Sequence, residues 1–182
     1  VEALARWVRA DGHVVPPTHF IALLEREGLL EAMTDHMLTQ ACRDKRRWDQ
    51  QGLRLTLSVN VSPTSLTLNS AADRYQRLVE AEGVDPADVI LEITESSVMA
   101  DAARGLGVMA RLRLKGFGLS IDDFGTGWSS LAQLSQVPFT ELKIDQGFVS
   151  GAHKQPRKRA VVEASLDLAR KLDLKVVAEG VE

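Results

Sequence analysis

Residues 117–145 read FGLSIDDFGTGWSSLAQLSQVPFTELKID, and this stretch decides the fold class of the chain. It begins and ends with short apolar runs, residues 117–122 and 140–145, and each run passes into a carboxylate. Runs of this length and composition are typical of buried strands. Two such strands separated by a longer connection indicate a βα unit of a parallel sheet.

The same alternation recurs along the rest of the chain. We predict further strands at residues 53–61, 89–94 and 174–178, and residues 1–4 as the tail of a sixth strand. Six strands with helices between them fit either an open doubly wound sheet or a (β/α)8 barrel that lacks two units. Because the chain begins and stops within strand signals, we predict a TIM-like barrel truncated at both ends. Helices are predicted at residues 16–30, 71–81, 102–115 and 156–172, with one more from Glu31 that ends before Gly52.

Composition restricts the class of protein. The 182 residues, 45% hydrophobic and 26% charged, are predicted to form a single domain over residues 1–182. The net charge of -3 argues against a nucleic-acid polymer as partner, because such binders usually carry an excess of basic residues. Cys42 is alone and no apolar run approaches the roughly 20 residues that span a bilayer. We therefore predict a cytoplasmic domain, although segments beyond these residues could anchor a longer protein.

Polar residues fall at the ends of the predicted strands. Because the C-terminal ends of parallel strands meet at one rim, these side chains are expected to lie together there. A single acidic residue at a strand end is usually a cap or a turn residue. Independent capping is a poor explanation for residues on six successive strands. The residues concerned are Glu2, Asn60, Glu92, Asp122, Asp123, Lys143, Asp145, Glu179 and Glu182.

So many carboxylates would repel one another unless cations share them. Oxygen ligands without His or Cys at ligand spacing favour Mg²⁺ or Mn²⁺ over zinc. The adjacent Asp122 and Asp123 allow one carboxylate to bridge two ions about 3.5–4 Å apart, as in displacement at phosphorus. Lys143, inside an apolar strand, needs either a partner such as Asp145 or a function.

Several blocks of the sequence together resemble those of the EAL-domain cyclic di-GMP phosphodiesterases. Each block is weak evidence alone, but their common order and compatible spacing are specific, and they cover nearly the whole chain. The resemblance implies an EAL-type barrel that hydrolyses cyclic di-GMP to linear pGpG. The blocks are Glu2-Ala3-Leu4 with Arg6-Trp7, and residues 58–62, 91–96, 121–127, 142–145 and 177–182.

The resemblance also implies roles for individual residues. It implies two divalent cations, the first held by Glu2, Asn60, Glu92 and Asp122 and the second by Asp122, Asp123 and Glu179. Lys143 would orient or help activate the attacking water, supported by Asp145, and Glu95 would brace the loop from residue 122 to residue 129. The substrate contacts that it implies are Leu4, Arg6, Pro16, Phe20 and Glu182.

The interpretation leaves alternatives open. A receptor that binds cyclic di-GMP without cleaving it would share most of these blocks. A metal-dependent barrel enzyme acting on a small carbon acid could use the same rim with a lysine base. The resemblance also leaves room for a homodimer and for sensory or GGDEF-type modules that flank the domain.

Overall fold

Six parallel strands form one curled sheet in the computed structural model, which describes residues 1–95, 97, 102–127 and 134–181. The strands follow one another around the sheet in chain order, without the reversal of order that a doubly wound sheet has. The predicted TIM-like barrel is therefore confirmed as a partial barrel of six strands. They are β1 (Glu2–Ala3), β4 (Leu57–Asn60), β5 (Val89–Thr94), β6 (Gly118–Phe124), β7 (Glu141–Ile144) and β8 (Lys175–Ala178).

Helices connect the strands and cover the sheet. Within the described ranges, two 3₁₀ turns at Pro63–Thr67 and Pro86–Asp88 complete the connections. No described helix has the length and apolar character needed to cross a membrane. The cytoplasmic location stays a prediction. The helices are α1 (Pro17–Arg26), α2 (Leu30–Gln50), α3 (Ala71–Ala81), α4 (Ala102–Leu114), α5 (Gln146–Val149) and α6 (Pro156–Lys171).

The first predicted helix was too long. It ends at Arg26 rather than at residue 30, because Gly28 adopts φ +69° and turns the chain out of the helix. The backbone N–H of Leu29 then bonds to the carbonyl of Leu24 and closes the last turn. The long amphipathic pattern therefore spans two helices with a tight turn between them.

The strand predicted at residues 53–61 was also too long. It begins only at Leu57, because that residue is the first to find a neighbour on β5, where Val89 pairs with it. Leu53 lies before this pairing and is half exposed. The length of the strand is therefore set by its partner as well as by its own apolar run.

A small antiparallel hairpin, β2 (Trp7–Val8) with β3 (Val14–Val15), was not predicted. Each strand has only two residues, which is too short for a period-2 signal. Gly12 at φ +81° makes the turn, and the Asp11-Gly12 pair is a turn signal that the sequence does contain. The hairpin leads from β1 to α1 beside the rim of the sheet.

Leu91 lies in the core between the sheet and its helices. It is completely buried and pairs with Val59 on one side and Leu119 on the other. We expect Leu91→Ala to lower the free energy of unfolding by about 2–5 kcal/mol, because it leaves a cavity that the strands cannot close. Urea unfolding measures this loss. The control is Leu114→Ala, whose side chain is 87% exposed, and equal losses for the two variants would contradict the assigned core.

Candidate metal and catalytic site

Strand alternation aims the functional side chains into the barrel. On β5, Glu92 stands between Leu91 and Ile93, which are both fully buried in the core. Successive side chains of a strand point to opposite faces, so Glu92 points to the inner face. On β7, Lys143 stands in the same way between Leu142 and Ile144. The charged residues therefore reach the interior because their apolar neighbours occupy the outer face.

Lys143 lies at the centre of the site. Its Nζ is 3.0 Å from Glu179 Oε1, 3.1 Å from Glu92 Oε2 and 3.1 Å from Asp122 Oδ1. A fourth carboxylate oxygen, Glu2 Oε2, lies at 3.4 Å. Lys143 is only 4% exposed, so these contacts are made away from bulk water. Asn60 joins the group through its Nδ2, which donates to Glu2 Oε1 at 3.1 Å.

A bulge in β6 allows two consecutive aspartates to serve one site. The pairing of β6 with β7 shifts register between Ile121 and Phe124, and Asp123 adopts φ +55°. In a regular strand Asp122 and Asp123 would point to opposite faces, whereas a bulge re-aims one of them. Carboxylate oxygens of Asp122, Asp123 and Glu179 consequently all lie within 4.8 Å of one another.

The electrostatics of the site reflect burial and crowding. Burial raises the pKa of Glu92 to about 7, with Lys143 opposing the rise and Glu2 adding to it. Burial is also the main reason why the pKa values of Asp123 and Glu179 are raised. Burial acts to lower the pKa of the Lys143 ammonium, but its hydrogen bond to Glu179 and the surrounding carboxylates raise it overall. Lys143 is therefore charged in this site.

The carboxylates fit a site for divalent cations. Glu92 Oε2 is buried, and the positive group that it contacts among the described residues is the Lys143 ammonium at 3.1 Å. The three grouped oxygens of Asp122, Asp123 and Glu179 are hard ligands of the kind that Mg²⁺ and Mn²⁺ take. A cation among them would relieve the mutual repulsion of the carboxylates, which adds to burial in raising the pKa values of Asp123 and Glu179.

We predicted that Asp145 supports Lys143, but its carboxylate does not contact the Lys143 ammonium. Its carboxylate accepts the backbone N–H of Gly147 at 2.9 Å and caps the start of α5. Among the described residues, the carboxylates within 4.0 Å of the Lys143 ammonium are the four named above. Asp145 does not reach Lys143 because it lies directly after the end of β7, where the chain enters α5.

Glu95 contacts the loop that follows the paired aspartates. Its Oε2 accepts the backbone N–H groups of Gly125 at 3.0 Å and Gly127 at 3.1 Å. The carboxylate is 3% exposed, so these are buried charge-assisted hydrogen bonds. If Glu95 braces this loop, as predicted, it must make contacts of this kind. Residues 128 and 129 of the same loop lie outside the described residues.

Three of the five predicted substrate contacts line two adjoining cavities. Leu4 and Arg6 line a mostly apolar cavity of about 350 Å³ that reaches Asn60. Phe20 lines the neighbouring cavity of about 360 Å³ with Arg6, and its ring meets Trp7 edge-on at 6.0 Å. Pro16 is the residue that precedes α1. Glu182 lies outside the described residues.

The helical wall of the cavity that reaches Asn60 was not predicted. Ile21 from α1 and Met33 and Thr34 from α2 line it beside Asn60 and Thr94. Their apolar helical spacing indicates only an amphipathic helix, and the same spacing serves a core face. No signal in the sequence separates the two uses.

Comparisons with known proteins identify the family of the chain. A family model described as EAL domain matches residues 1–182, and the chain belongs to the EAL domain family. It is 36% identical over 181 residues to the cyclic di-GMP phosphodiesterase RocR of Pseudomonas aeruginosa, covering 100% of this chain and 46% of RocR. It is 39% identical over 183 residues to the bifunctional diguanylate cyclase/cyclic di-GMP phosphodiesterase MucR of the same organism, covering 100% and 27%.

A solved structure of the PaMucR phosphodiesterase in complex with c-di-GMP superposes with a TM-score of 0.93 at 38% identity. The match covers 100% of this chain and 74% of that one. The chain spans less than half the length of the two curated relatives.

Proposed function

We propose that this chain is a metal-dependent phosphodiesterase domain that hydrolyses cyclic di-GMP to linear pGpG. The observation that carries the proposal is the set of carboxylates gathered around Lys143, three of them on different strands and the fourth directly after β8. The relatives named for this activity, RocR and MucR, support the substrate. A receptor that had lost catalysis would be expected to lack some of these carboxylates.

Two divalent cations, Mg²⁺ or Mn²⁺, are proposed as the cofactors. Five carboxylates face one ammonium in the site, so two divalent ions would balance the remaining negative charge when all are ionised. Such ions stabilise the charge that develops on the phosphate and lower the pKa of a bound water. The residues that would hold them are Glu2, Asn60, Glu92, Asp122, Asp123 and Glu179.

The residues of the chain have separate tasks in this hydrolysis. The Lys143 ammonium lies among the four carboxylates, so we assign it to orienting the attacking water and stabilising negative charge. Glu95 holds the backbone of the loop after Asp123 in one conformation. Arg6 has no carboxylate within 4.0 Å among the described residues and lines both cavities, so its guanidinium is available to a phosphate of the substrate.

One of the same relatives supports a proposal about the modules that accompany the domain. The printed name of MucR joins a diguanylate cyclase to the phosphodiesterase, and the chain covers only 27% of that protein. We propose that a GGDEF-type or sensory module accompanies this domain, and that a homodimer is one form in which it acts. Size-exclusion chromatography with light scattering tests the dimer.

The proposed activity is tested by following cyclic di-GMP chromatographically with Mg²⁺ or Mn²⁺. We expect metal-dependent appearance of the linear dinucleotide, and we expect Glu2→Ala to lower the rate by at least about a hundredfold, because it removes one oxygen ligand. Glu80→Ala on the outside of α3 is the matched control and should leave the rate unchanged. Binding of cyclic di-GMP without turnover would establish the receptor instead, and an active Glu2→Ala variant would contradict the metal assignment.

A further inference from the structure

One ammonium group serves four carboxylates that come from four different strands. Lys143 Nζ lies 3.0–3.4 Å from oxygens of residues on β1, β5 and β6 and from Glu179 directly after β8. An ammonium has three protons, so it cannot give each of four carboxylates a full hydrogen bond of its own. Lys143 therefore acts on the group mainly as a shared positive charge.

A second buried lysine shows how unusual this arrangement is. Lys45 on α2 is 1% exposed and contacts Asp49 at 3.0 Å and Asp88 at 3.1 Å. Both partners of Lys45 lie outside the rim, and neither belongs to the proposed metal ligands. The buried Lys45 ammonium contacts two carboxylates, whereas the Lys143 ammonium contacts four.

We propose that Lys143 is an internal counter-ion that keeps the carboxylates assembled when no divalent cation is bound, and that it competes with the cations for the same oxygens. The proposal rests on the metal centre of the proposed function. Like charges at these distances repel strongly in a buried site, and a cation among them removes the repulsion. The Lys143 ammonium would reduce this repulsion in the metal-free protein, as a divalent ion would in the metal-bound protein.

Competition has a consequence for metal binding. Glu92 Oε2 and Asp122 Oδ1 each lie 3.1 Å from Nζ, so a cation that binds these oxygens meets a positive charge within a few ångströms. Lys143 therefore weakens metal binding at the same time as it prepares the ligands. The metal ligands would stay assembled without an ion, and a bound ion would exchange more readily.

The test measures Mn²⁺ binding and thermal unfolding of the purified protein without substrate. For Lys143→Met, which removes the charge and keeps much of the side-chain volume, we expect the metal-free unfolding midpoint to fall by about 10 °C. We expect the dissociation constant of Mn²⁺ from calorimetry to fall at least about tenfold, because the competing charge is gone. Mn²⁺ should then raise the midpoint of this variant more than it raises that of the wild type.

Two further variants keep the test decisive. Lys45→Met also removes a buried lysine charge, and we expect it to lower the midpoint without changing the Mn²⁺ dissociation constant. Lys143→Arg keeps the charge and should bind Mn²⁺ within about threefold of the wild type. Tightening by Lys143→Arg as large as that by Lys143→Met would overturn the proposal, because charge would not be the cause.

The remaining outcomes also decide the matter. Unchanged or weaker Mn²⁺ binding by Lys143→Met overturns the counter-ion role. So does failure of this variant to fold with Mn²⁺ in excess, because the metal should supply the missing charge. A wild-type protein that binds no Mn²⁺ would instead contradict the metal centre of the proposed function, and with it the competition.

Discussion

Replacing Asp122 with asparagine is expected to lower kcat/KM for cyclic di-GMP by at least about a thousandfold, because metal ions supply several kcal/mol of transition-state stabilisation. Asp122 is 9% exposed and, like Glu179, belongs both to the carboxylates around Lys143 and to the group of three oxygens. Asparagine keeps the shape of the side chain but removes its charge. The variant should therefore fold and yet gain little stability from Mn²⁺.

Steady-state turnover and thermal unfolding with and without Mn²⁺ measure these effects. The matched control is Asp167→Asn on the exposed side of α6, which removes only a surface ion pair with Arg170. Such pairs contribute little, so turnover should remain as in the wild type. An Asp122→Asn variant within tenfold of wild-type turnover would remove Asp122 from the metal site.

Glu95→Ala is expected to lower kcat about a hundredfold, while KM changes far less. One oxygen of Glu95 accepts two backbone N–H groups of the loop that follows Asp123, and alanine leaves both donors without this acceptor. The loop would then no longer hold the rim in one conformation. Misplacement of catalytic groups by about 1 Å can cost this much in rate.

A graded pair of variants separates charge from shape at this position. Glu95→Gln keeps one oxygen acceptor and should cost only about tenfold in kcat, because charge-assisted hydrogen bonds are roughly twice as strong as neutral ones. Glu163→Ala on the exposed face of α6 is the control. A Glu95→Ala variant with the kcat of the wild type would mean that the contact with Gly125 and Gly127 has no part in catalysis.

The sheet was largely predictable because its central strands are buried runs bounded by turn residues. Residues 89–94 were predicted and observed with the same bounds, since Val89, Leu91 and Ile93 face the core and the chain enters through Pro86–Asp88. Helix α3 also has the predicted bounds. The crowding of polar residues at one rim follows from parallel pairing, which brings strand ends together.

The local geometry of the site was less predictable. The expected contact between Asp145 and Lys143 is not made, because a residue two positions after Lys143 would share its face only if the strand continued, and β7 ends at Ile144. The bulge at Asp122 and Asp123 depends on pairing with β7, which lies far along the chain. The hairpin of β2 and β3 was too short to give a periodic signal.

The positive φ of Asp123 has a consequence for how this chain can drift over many generations. Asparagine and aspartate enter this left-handed conformation more readily than most side chains, and glycine does so freely. A neutral amide at position 123 would thus be structurally silent while removing one negative charge. One substitution at position 123 would therefore remove a ligand of the proposed metal centre while leaving the folded backbone almost unchanged.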